Sequence, residues 1–171
     1  MPFFSGFSQD LAETNAEPGV VAPVTIRAMA KLELSRELSL SPAAAWDHAS
    51  DLASLGDWLV MHEGWRSDIP DEITVGTKIV GVAGAKGMRN RVTWTVTKWD
   101  PPQLLEVEGK GVGGTKYRLT MTVSPTTTGC AFAVTLDLGG PPLFGPIGSV
   151  AARAVKGDIE RSIAQFEKLY A

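Results

Sequence analysis

The stretch from Ile147 to Tyr170, IGSVAARAVKGDIERSIAQFEKLY, decides the fold. Ile147, Val150, Ala151, Ala154, Val155, Ile159, Ile163, Phe166 and Tyr170 recur at helical spacing and form one apolar stripe, while Arg153, Lys156, Glu160, Arg161 and Lys168 lie off it. The pattern predicts a helix of about 24 residues, roughly 36 Å at 1.5 Å per residue, long enough to lie along a whole curved sheet. Such a helix needs an apolar surface to cover its stripe, and the preceding sequence supplies one.

From Trp65 onward the chain has period two, broken at Pro70-Asp71, Gly84, Asp100-Pro101-Pro102, Gly109 to Gly114 and Pro125 to Gly129. Met88, Asn90, Val92, Trp94 and Val96 share one strand face; Tyr117, Leu119, Met121 and Val123 share a second, and Phe132, Val134, Leu136 and Leu138 a third. One apolar and one polar face per strand is the signature of an antiparallel sheet covered on one side.

The chain upstream begins with another half-buried strand. In Lys31 to Leu40 the leucines at 32, 34, 38 and 40 alternate with polar residues, and Arg36 interrupts the apolar side. Ser41-Pro42 then starts a helix through Ser50, the hydroxyl suited to the N-cap and the proline to the first helical position. Asp51 caps a second, short helix carrying Leu52 and Leu55 and ending at Gly56. The order is a strand, two short helices, about six further strands and a long C-terminal helix. This is an α+β chain with a curved antiparallel sheet of about seven strands.

The 171 residues, 44% hydrophobic and 20% charged, suit one soluble domain with a real core. A net charge of −3 without any lysine- or arginine-rich run argues against nucleic-acid binding. No apolar run approaches the ~18 residues of a membrane span, and the N-terminus lacks the basic and apolar regions of a signal peptide, which points to the cytoplasm. Residues 1 to 28 carry no sustained period and are expected to be a disordered extension or an over-called start, with one domain from Met29 to Ala171. The single cysteine, Cys130, sits in a strand pattern and reads as a packed thiol.

The order of elements, with Ser41-Pro42, Trp46, Asp51-Leu52 and Trp58 after the first strand, resembles the START-like (SRPBCC) superfamily of polyketide cyclases, dehydratases and lipid-transport proteins. The resemblance covers Lys31 to the C-terminus. It implies the helix-grip fold, in which the sheet wraps the long helix and leaves a cavity between them. A narrower resemblance rests on His62-Glu63-Gly64-Trp65-Arg66-Ser67, Lys86-Gly87-Met88, Asn90-Arg91-Val92, Trp94-Thr95, Gly111-Val112-Gly113-Gly114, and Leu138-Gly139-Gly140-Pro141 with Leu143-Phe144-Gly145-Pro146-Ile147-Gly148. These are similar to a mycobacterial branch described as toxins of type II toxin–antitoxin pairs, which implies a small antitoxin protein as partner.

The expected ligand is a hydrophobic small molecule. Trp58, Met61, Trp65, Met88, Trp94, Tyr117, Met121 and Phe144, with Ile147, Ala151 and Val155 from the helix, are the candidate lining, though such a set also fills cores. Asn90 is the polar exception on its strand face and either orients a ligand or satisfies a nearby loop. His62, between Trp58 and Trp65, is the one candidate acid–base group; the alternative is a loop histidine held by packing. His48 reads as a surface residue. Two separated histidines make no metal site, no Gly-x-Ser-x-Gly elbow accompanies them, and Gly111 to Gly114 lies between two strands where a dinucleotide loop would need a strand and a helix. No cofactor is called for.

Overall fold

A computed structural model describes residues 30–85, 88–141 and 146–171. The expected N-terminal extension, the whole of Leu143 and Phe144, and the side chains of Met88 and Ile147 lie outside the described part.

Strand β1 (Ala30–Leu38) turns Leu32, Leu34 and Leu38 inward and exposes Lys31, Glu33, Ser35 and Glu37. Arg36 shares the apolar phase but stays exposed. Its guanidinium meets the Glu167 carboxylate of the long C-terminal helix at 2.6 Å, so the break in the pattern becomes an ion pair at the sheet edge. Helix α1 (Pro42–Ser50) starts where the sequence says, with Ser41 Oγ accepting the Ala44 N–H at 3.2 Å. Asp51 Oδ1 accepts from the Ala53 N–H at 3.1 Å and caps a 3₁₀ turn (Leu52–Ser54) that runs into helix α2 (Leu55–Trp58). Gly56 does not end this helix. It sits inside it, where a Cβ would meet the His62 ring only at an ordinary contact distance of 3.7 Å.

Six more strands follow: β2 (His62–Trp65), β3 (Lys78–Ala85), β4 (Met88–Asp100), β5 (Leu104–Lys110), β6 (Lys116–Pro125) and β7 (Cys130–Gly139). They join β1 in one antiparallel sheet of order β1-β7-β6-β5-β4-β3-β2, curled into a half-barrel. The register lines up inward side chains in rows. Leu32, Leu136, Leu119, Val107 and Val96 form one continuous row across five strands. Another runs Leu138, Tyr117, Gly109, Trp94 and Ile79.

Two expected breaks lie within strands. Gly84 pairs with Arg89 and Gly109 with Trp94. Each gives space to a neighbour: a Cβ on Gly84 would strike the Glu63 carboxylate, and one on Gly109 would lie 2.6 Å from the Trp94 ring. A bulge between Val96 and Lys98 shifts the phase of β4, so Val96 and Trp99 both belong to the inward set. Thr97, at the bulge, donates to the Glu106 carbonyl at 3.2 Å and carboxylate at 2.9 Å.

Helix α3 (Pro146–Tyr170) packs against β1 on one side and β3 on the other, with α2 beside it. Val155, Ile159, Ile163 and Phe166 are buried. Val150, expected in the stripe, is 61% exposed. It stands five residues before Val155, about 140° round the helix at 100° per residue, so it faces away. Ser162, also buried, donates to the Asp158 carbonyl at 2.7 Å and accepts the Val60 N–H at 2.9 Å, tying the segment after α2 to α3. Cys130 is fully buried, which raises its thiol pKa.

Candidate functional site

A cavity of about 420 Å³ lies between the sheet and the N-terminal half of α3. Leu52, Leu55 and Leu59 of the short helical region close one side, Ala151 and Val155 of α3 cover it, and the two rows named above, apart from Leu32 and Gly109, make the floor with Met121, Leu105 and Trp99. Few polar side chains reach it: His62, Thr77, Arg89, Asn90, Thr115 and the Tyr117 hydroxyl.

Of the residues singled out from sequence, Met61, His62, Trp65, Asn90, Trp94, Tyr117, Met121, Ala151 and Val155 come together on this wall. Trp58 does not. It is 1% exposed, edge-on to Phe132 at 5.8 Å and to Phe166 at 5.1 Å, in the filled core beyond the cavity. Met88 and Ile147 by their side chains, and Phe144 entirely, lie outside the described residues. Sequence reasoning missed Trp99, whose odd spacing from Trp94 signals the bulge that brings it in. It also missed Thr115 and Thr77, for which a hydroxyl beside a turn gives no distinguishing sign.

His62 opens β2, its N–H bonded to the Leu59 carbonyl at 2.9 Å. The half-buried ring packs on Trp65, with centroids 4.4 Å apart, and the Trp65 indole N–H is itself held by the Leu52 carbonyl at 2.8 Å. Burial first, and the nearby Arg66 guanidinium second, lower the His62 pKa below 6.5. At neutral pH the imidazole is therefore uncharged, with one N–H and one basic nitrogen, and among the described residues neither makes a hydrogen bond to a protein group. His48 stacks on Tyr170 at 3.9 Å, away from this wall.

Asn90 is fully engaged. Its Oδ1 accepts the Val112 N–H at 2.9 Å, and its Nδ2 donates to Thr115 Oγ1 at 2.9 Å and to Tyr117 Oη at 2.8 Å. The amide clamps the turn Val112–Gly114, which joins β5 to β6 with Gly113 and Gly114 at φ of 73° and 81°. The Gly111 Cα lies so close that an added Cβ would be 2.5 Å from Nδ2, so the clamp requires glycine there.

Among the described residues no group of three His, Cys, Asp or Glu could hold a metal ion, and no helix is long and apolar enough to cross a membrane. A family model described as "Polyketide cyclase / dehydrase and lipid transport" matches residues 29–171. The uncharacterized Mycobacterium tuberculosis protein Rv1546 is 60% identical over 142 residues, which are 83% of this chain and 99% of that one. A second protein of the same organism, named Toxin Rv0910, is 41% identical over 143 residues, 84% of this chain and 99% of its own. The crystal structure of TTHA0849 from Thermus thermophilus superposes with a TM-score of 0.67 at 19% identity, covering 81% of this chain and 95% of that one, and so shares the fold.

Proposed function

Because the chain belongs to the polyketide cyclase/dehydrase and lipid transport family, we propose that it binds a hydrophobic small molecule beneath α3 and sequesters or carries it. The observation that supports this most is the lining. A cavity of about 420 Å³ walled by aliphatic and aromatic side chains with a few polar groups has the size and chemistry of a small-molecule site. Native mass spectrometry after mild purification should find a co-purifying mass, and a fluorescent fatty acyl probe should titrate into the protein with one-to-one stoichiometry. A dry interior with neither would overturn the proposal.

His62 favours a second reading, an enzyme of cyclase or dehydratase type. A neutral imidazole on the cavity wall has the protonation state a general base needs, and the cavity would fold a poly-β-keto chain against it. Turnover of a poly-β-keto thioester lost in His62→Ala supports it; turnover unchanged in that variant removes it.

The relative named a toxin supports a third reading, in which this chain arrests growth and a small antitoxin protein relieves the arrest. Growth arrest on expression, relieved by the product of a neighbouring small gene, is the expected result. Expression without any growth effect is the contrary one.

A further inference from the structure

The hydrogen bonds around Asn90 leave one donor unspent, and each step to it is fixed by a main-chain group. The Val112 N–H can only donate, so the Asn90 atom facing it at 2.9 Å is Oδ1, and the amide cannot be turned the other way. Nδ2 therefore faces Thr115 and Tyr117, and its two hydrogens go one to each hydroxyl oxygen. The Thr115 hydroxyl spends its own hydrogen on the Val112 carbonyl at 3.0 Å, which can only accept. Nδ2 has no lone pair to offer, so the Tyr117 hydroxyl accepts from Asn90 and keeps its hydrogen. Among the described residues no protein group accepts that hydrogen. Asn90, Val112, Thr115 and Tyr117 all line the cavity.

The ring that carries this hydroxyl is backed by Trp94. Its register partner Gly109 has no side chain, and Trp94, the next residue along the row, packs across the gap with its centroid 5.9 Å from that of Tyr117. Adding a Cβ to Gly109 would push the Trp94 indole away. The phenol is thus a donor of fixed position on a mostly apolar wall, and covering it with a bound molecule that offers no partner would cost free energy. An oxygen acceptor on a bound molecule would remove that cost.

We propose that Tyr117 is the anchoring donor of the site and that its ligand is an apolar molecule carrying a carbonyl-type oxygen, with Asn90 as a positioning residue whose own hydrogen bonds are spent within the protein. This inference rests on the cavity-binding reading and adds the ligand's polar feature to it. It is tested with two fluorescent probes of equal size, a dimethylaminonaphthalene bearing a propionyl ketone and its counterpart with a plain propyl chain. The wild-type protein should bind the ketone about tenfold more tightly than the propyl probe, and Tyr117→Phe should remove about tenfold from the ketone while leaving the propyl probe within about twofold. Emission of the bound ketone, which moves to the red when its carbonyl accepts a hydrogen bond, should move to the blue in the variant. Propyl binding with a ketone affinity and emission that ignore Tyr117→Phe would overturn this inference alone. Failure of both probes on the wild-type protein would overturn it together with the cavity-binding reading.

Discussion

The two halves of α3 face the same sheet and make opposite interiors. Toward the C-terminus Ile159, Ile163 and Phe166 are 2%, 0% and 0% exposed, and Phe166 stacks on Phe132 at 4.8 Å with Trp58 edge-on to both. Toward the N-terminus the positions on the same face are Val155, Ala151 and Gly148, two turns of small side chains, and beneath Ala151 and Val155 lies the cavity. Helix and sheet are continuous through both regions, so the curl of the sheet does not explain the difference. Side-chain volume along one helical face does. An aromatic residue fills one end to the density of a core, and an alanine leaves the other open.

The largest effect should come from emptying the filled half. Phe166→Ala removes a ring that touches Trp58, Phe132 and Tyr170, and should cost about 3–5 kcal/mol in urea denaturation, the range for deleting a buried aromatic side chain. Probe affinity of the protein that remains folded should change little, because the ring is not part of the cavity lining. If affinity collapsed with stability, the two halves would be one cooperative unit and the contrast between them would be superficial.

Filling the open half should do the reverse. Ala151→Phe puts a ring of the kind found at position 166 into existing space, so stability should change by less than about 1 kcal/mol where a packed core would lose about 1–3. Probe binding should fall by more than about tenfold, since the new side chain takes the ligand's volume. Denaturation and probe titration of the one variant give both numbers. A large loss of stability would mean that the chamber is too tight to take the ring, and so too tight for a ligand.

The same contrast sets what could be read from sequence. The filled half announces itself, because Ile159, Ile163 and Phe166 carry the helical period and Phe132, Val134 and Leu136 the strand period, and burial follows from the pattern. The fold was legible for that reason, down to the Ser41 and Asp51 caps. The open half depends on register and phase, which no local period contains. Trp58 reads as a lining residue beside Trp65 but turns into the core. Trp99 enters the wall only through the bulge at Thr97, and Gly109 reads as a turn until its pairing with Trp94 shows that it makes room for a ring. Asn90 was visible as a polar residue on an apolar face. That it holds the Val112–Gly114 turn follows only from the approach of β4 to the start of β6.

The smallest effect belongs to the titratable group of the open half. His62 has its pKa lowered in the folded chain by burial and Arg66, whereas in the unfolded chain it titrates near 6.5. As pH falls through 6.5 the unfolded chain takes up a proton that the folded chain resists. The stability associated with the neutral imidazole is therefore complete above 6.5 and is lost as pH descends toward the folded-state pKa. His62→Gln removes this component, so the stability difference between wild type and variant should be constant at alkaline pH and should tilt against the wild type below 6.5. Urea midpoints measured in steps from pH 8 to pH 5 give the difference. An apolar ligand seated against the ring would dry it further and favour the neutral form more strongly, so probe affinity in the wild type should weaken at still lower pH, as it falls through the folded-state pKa, and stay flat in the variant. Parallel stability curves with parallel affinities would place the imidazole in solvent, leaving the apolar residues and Tyr117 to define the open half.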